Sequence, residues 1–75
     1  MEDILASTNV TVTVNGSPRS AASGSSVRDL VDVLGLAGRP IAVEVDGEVV
    51  PRAGLADRLL AGGERIEIVT FVGGG

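Results

Sequence analysis

The sequence predicts an α+β domain in which a small sheet packs on one main helix and runs out into a glycine tail. Three observations carry that prediction. Two stretches alternate between apolar and polar or small residues, Val10 to Val14 and Ile41 to Val45. Each leads into a dipeptide, Asn15-Gly16 or Asp46-Gly47, that favours a tight hairpin turn. Between them one segment, Ser26 to Gly35, carries apolar residues at helical spacing. A last alternating run, Arg65 to about Val72, then stops at Gly73, Gly74 and Gly75.

In chain order, residues 1–8 show no periodicity and are expected to fray; the domain is set at residues 9–72, with residues 73–75 as a flexible tail. Val10, Val12 and Val14 share one face of the first strand and Thr11 and Thr13 the other, so that strand is half-buried. After the Asn15-Gly16 turn a second strand should return through about Arg19 to Ala22. The helix has both ends marked, by Ser26 as N-cap with Asp29 three residues on, and by Gly35 at the left-handed C′ position. Val27, Leu30, Val31 and Leu34 form its apolar stripe, while Asp29 and Asp32 lie on a solvated side where Arg28 can pair with Asp32. Ile41, Val43 and Val45 then face inward and Glu44 outward. A short strand from Glu48 to Val50 is closed by Pro51, a helical turn is expected over Gly54 to Leu60, and Gly62-Gly63 reads as a loop.

The last strand raises a specific question. With Ile66 and Ile68 facing the helix, alternation puts Val69 and Phe71 on the opposite face, where a single-layer sheet has no cover. Val69, Phe71 and Val72 are therefore a candidate partner-docking patch. The alternative is a bend or bulge that brings Phe71 into the core.

Composition narrows the function classes. A chain of 75 residues makes one domain and buries only about 60% of the surface it exposes when unfolded, too little for a large internal cavity. Cysteine, histidine and tyrosine are all absent, which removes thiol nucleophiles, disulfides, the commonest zinc ligands and the usual acid–base residue near neutral pH. A net charge of −4 with no basic cluster or aromatic set disfavours nucleic acid as a partner. All six basic residues are arginine, so the Gly/Ser stretch at 22–27 lacks the lysine of a phosphate-binding P-loop. No apolar run approaches the roughly 20 residues needed to span a bilayer. The acidic start "MEDILAST" is unlike a signal peptide, and a cytoplasmic protein that stays off membranes is expected. A carrier or binding module fits these limits better than an enzyme.

The motifs point further. "VNG" at 14–16, "SVRDLVDVLGL" at 26–36, "AVEVDGEVVPR" at 42–52 and "LLAGGERIEIVTFVGGG" at 59–75 occur in an order and spacing that resemble the bacterial sulfur carrier proteins of thiamine biosynthesis. These belong to the ubiquitin-like β-grasp proteins, whose small mixed sheet grasps one helix and whose chain ends in Gly-Gly. Gly63-Glu64 stands where relatives commonly have Gly-Asp, and Asp46-Gly47 where they often have Asn-Gly; both keep the turn chemistry. The resemblance implies that a ubiquitin-activating-like adenylating enzyme uses ATP to activate the Gly75 carboxylate. A sulfur donor such as a cysteine desulfurase then converts it to a thiocarboxylate, which supplies sulfur to thiazole synthase. It also implies no bound cofactor and no catalytic residue of the chain's own. The neighbouring alternatives are a sulfur carrier for molybdopterin or cysteine synthesis and a ubiquitin-like protein modifier. The molybdopterin carriers usually have a proline pair where this chain has Phe71-Val72.

The tail's chemistry agrees with that implication. A carboxylate does not accept sulfur unaided, because oxide is too poor a leaving group, so it must be activated. Val72 to Gly75 span at most about 13–14 Å when extended, enough to enter a partner's active site. Gly73 and Gly74 lack Cβ atoms and suit a narrow channel. Ordering such a tail costs about 1–2 kcal/mol per residue, which docking of the folded domain must offset.

Overall fold

The computed structural model describes residues 8–71. Its elements are β1 (Asn9–Val14), β2 (Ser17–Ala22), α1 (Val27–Val33), β3 (Ile41–Val45), β4 (Glu48–Val50), a 3₁₀ turn (Arg52–Gly54) and β5 (Arg65–Thr70). The five strands form one mixed sheet in the order β2-β1-β5-β3-β4. β5 lies at its centre, parallel to β1 and antiparallel to β3. One helix on one face of such a sheet is the β-grasp arrangement.

The helix forms where its ends are satisfied. Ser26 Oγ accepts from the Asp29 backbone N–H at 3.0 Å, and the Ser26 N–H donates to Asp29 Oδ2 at 2.9 Å, a complete capping box. The other orphan donors of the first turn reach a distant segment: Val27 N–H donates to Arg58 O and Arg28 N–H to Leu55 O. At the other end Gly35 adopts φ 77°, and its N–H and that of Leu36 donate to Asp32 O and Val31 O, a Schellman closure.

That need for acceptors explains one departure from expectation. The helical turn expected over Gly54 to Leu60 is shifted toward the N-terminus, to Arg52–Gly54, directly after Pro51. The following residues turn and then extend, so that Leu55 and Arg58 carbonyls face the start of α1 and Leu59 pairs with Ser26 as an isolated bridge. Glu64 clips this loop, accepting from Ala61 N–H at 2.8 Å and from Arg58 Nη2 at 2.7 Å.

The core lies between α1 and the sheet. Val27, Leu30 and Val31 of the helix pack against Val12, Val43, Val45, Ile66 and Ile68, with Leu55 and Leu60 closing the ends. Leu34 is only partly buried, at the edge of this cluster. β2 begins at Ser17, two residues before the expected start, because the two-residue turn at Asn15-Gly16 lets pairing resume at once, Val14 with Ser17.

Both hairpin turns also hold β5. Asn15, at φ 49°, accepts from the Ile68 N–H through Oδ1 at 2.8 Å and donates from Nδ2 to Ile68 O at 3.1 Å. Its side-chain amide thus takes the place of a strand residue where β1 has ended. On the other side Asp46, at φ 50°, accepts from the Arg65 N–H through Oδ1 at 2.8 Å, while its own N–H donates to Arg65 O. Asn15→Ala leaves the partly buried Ile68 N–H and C=O without these partners and is expected to cost about 1–3 kcal/mol. Asp46→Asn keeps an oxygen acceptor for Arg65 N–H and should change little. Urea denaturation of the two variants side by side checks the contrast.

Candidate functional site

β5 is the strand that leads to the tail, and its placement defines the site. Being central, it is hydrogen-bonded on both edges, and the two turn side chains fix its register. Phe71, just beyond its end, is still tied: its N–H donates to Pro40 O at 3.0 Å. The strand therefore runs straight to the last described residue, with no bulge to redirect Phe71.

The consequence is visible in exposure. Ile66 and Ile68 are buried against α1, whereas Val69 is 54% and Phe71 57% exposed on the open face of the sheet. Of the two readings of Phe71 that the sequence left standing, the open-face position is the one found. Val72, Gly73, Gly74 and Gly75 lie outside the described residues.

Strand register shows what surrounds the exposed pair. Ala42 lies directly opposite Val69, and Glu44 directly opposite Glu67, all on the open face. Val49, opposite Glu44 on β4, extends the row and is 67% exposed. Two apolar side chains at the base of the tail are thus bordered by a pair of like-charged carboxylates. Arg65 Nε approaches Glu67 Oε2 only at 3.9 Å. The sequence pattern located Val69 and Phe71, but Ala42, Glu44 and Pro40 join them only through strand order, which periodicity does not encode.

The open face around β5 is therefore apolar at Val69 and Phe71 and acidic at Glu44 and Glu67. Among the described residues no three metal-ligating side chains come together, and no buried side-chain polar atom lacks a partner. No helix among them is long and apolar enough to cross a membrane.

Comparison with known proteins agrees with that geometry. The model of the ThiS family matches residues 12–75, from within β1 to the last glycine. Thiazole synthases of Paramagnetospirillum magneticum and Magnetococcus marinus are each 37% identical over 62 residues, 83% of this chain but 19% of theirs. The chain thus spans about a fifth of the length of these curated relatives. An uncharacterised protein of Porphyra purpurea is 27% identical over 89% of this chain and 94% of its own. The crystal structure of the thiamine biosynthesis protein ThiS from Geobacter metallireducens superposes with a TM-score of 0.74 at 32% identity, over 88% of this chain and 100% of that one. With the family pattern running from the first core strand into the glycine tail, and a solved member sharing the fold over its whole length, this chain belongs to the ThiS family.

Proposed function

We propose that the protein is a sulfur carrier of thiamine biosynthesis, with the carboxylate of Gly75 as the group that carries sulfur. The observation that carries this reading is the family match, which extends through Gly73 and Gly74 to Gly75. It is supported by the thiazole synthase relatives and by an exposed apolar pair, Val69 and Phe71, where the tail begins.

The chemistry follows from the group. A Gly75 carboxylate oxygen attacks the α-phosphorus of ATP on a partner adenylating enzyme; pyrophosphate leaves and an acyl-adenylate forms. A nucleophilic sulfur, hydrosulfide or the terminal sulfur of a desulfurase persulfide, then attacks the carbonyl carbon, and AMP leaves with the original oxygen. With a persulfide donor the resulting acyl disulfide is opened by a thiol to give the thiocarboxylate, which thiazole synthase consumes. The chain is a substrate at each step and supplies no acid or base. Its contribution is placement: β5 fixes the base of the tail, and Val69, Phe71 and Val72 dock against the partner. The reaction belongs in the cytoplasm, where ATP and reduced sulfur donors are available.

The test is the intact mass of the full chain after incubation with its adenylating enzyme, ATP and a sulfur source. One oxygen-to-sulfur exchange, mapped to Gly75 by fragmentation, is the expected result. An unchanged mass with an enzyme that performs ATP–pyrophosphate exchange on a related carrier would sink the proposal. Co-purification with the large subunit of molybdopterin synthase in place of thiazole synthase would move the carrier to that pathway.

A further inference from the structure

The tail base has a second, oppositely charged side. Three of the six arginines of this acidic chain line one recess of about 140 Å³ on the helix side of the sheet: Arg28 from α1, Arg39 from the loop before β3 and Arg52 from the 3₁₀ turn. The floor is apolar, from Val31, Leu36 and Leu55. Arg52 Nη2 donates to Arg39 O at 3.0 Å, which joins the two loop segments. The next residue, Pro40, is the one that accepts from the Phe71 N–H, so the recess adjoins the point where the tail leaves the sheet.

Among the described residues its charges are poorly balanced. Arg28 pairs with Asp32 at 3.3 Å. Among the described residues no carboxylate lies within 4 Å of the Arg39 or Arg52 guanidinium. Grouping cations in a protein of net charge −4 is unfavourable unless something anionic meets them, and guanidinium forks match carboxylate and phosphate oxygens. Position separates those two. The acyl-adenylate phosphate would form at Gly75, at the far end of a tail extended into the partner, up to about 13–14 Å from Phe71. On the carrier reading, a recess at the base of the tail would meet the partner's body and not the nucleotide.

We propose that the Arg28–Arg39–Arg52 recess binds an acidic segment of the enzyme that takes up the tail. The inference rests on the carrier reading above. With Glu44 and Glu67 on the open face and the arginines on the helix side, the tail base carries charge of opposite sign on its two sides, so a complementary partner can dock in only one orientation.

Two measurements test it. In ATP–pyrophosphate exchange by the adenylating partner, Arg39→Glu is expected to raise KM for the carrier about tenfold at constant kcat, with a shallower salt dependence than wild type. Arg52→Glu should do the same, and because Arg52 also bonds a backbone carbonyl, its thermal melt is compared with that of Arg52→Gln. In an NMR titration of the full chain, millimolar hexaglutamate should shift the backbone amides of Gly38, Arg39 and Arg52 and leave β2 unmoved. Unchanged KM in a folded Arg39→Glu overturns the inference and leaves the carrier reading standing. An equal response to inorganic phosphate would make this a phosphate site and also overturn it. A wild-type chain that acquires no sulfur, yet binds hexaglutamate in the recess, defeats the carrier reading alone.

Discussion

Replacing Ile66 with alanine is expected to remove about 2–5 kcal/mol of stability, the largest loss for a single core truncation in this chain. Ile66 is 0% exposed and sits in the central strand, level with Val14 of β1 and Val45 of β3, so no rim residue can move in to fill the space. The size matters because the total is small. At about 0.05–0.15 kcal/mol per residue, a 75-residue chain has roughly 4–11 kcal/mol in all, and the substitution takes about a quarter to two thirds of a mid-range value. Ile66→Val, which deletes one methyl group, should cost about 0.5–1.5 kcal/mol. Urea denaturation followed by circular dichroism reads both. A loss under about 1 kcal/mol for Ile66→Ala would mean that the site collapses around the deletion and that the core is not centred on β5.

The same strand shows where sequence reasoning succeeds and where it stops. Alternation puts Ile66 and Ile68 inside and Val69 outside while leaving Phe71 open to a bend, and spacing alone gives the helix stripe of Val27, Leu30, Val31 and the partly buried Leu34, because side-chain period is a local property of the backbone. Asn15 and Asp46 were legible as turn residues for the same reason. Their second task, holding β5 from both sides, was not: it depends on β5 lying between β1 and β3, a pairing that joins residues 53 positions apart at Asn15 and Ile68. The shifted 3₁₀ turn likewise answers to the unpaired N–H groups of α1, far away in sequence. The arginine recess gathers residues from three separate segments and left no local pattern to detect.

Deleting Gly74 and Gly75 is expected to abolish sulfur acquisition and to turn the protein into a competitive inhibitor of its own full-length form. The first half follows from chemistry. The new carboxylate, on Gly73, falls short of the activating nucleotide by two residues, about 6–7 Å of extended chain, and in-line attack on phosphorus does not tolerate a gap of that size. The second half follows from the fold. Everything proposed to dock, from Val69, Phe71 and Val72 to the arginine recess, is kept in the truncated chain, and β5 is held up to Phe71 by Asn15, Asp46 and Pro40. The truncated chain should melt like wild type and inhibit exchange with an inhibition constant near the KM of the intact carrier. Adding Val69→Ala and Phe71→Ala to the truncation should weaken that inhibition about 30-fold, as expected for an aromatic hot spot worth about 2 kcal/mol. A truncated chain that folds but does not inhibit would place the binding energy in the glycines themselves. The rigid strand and its exposed pair would then be scaffold only, and a free Val-Gly-Gly-Gly peptide should be adenylated nearly as well as the domain.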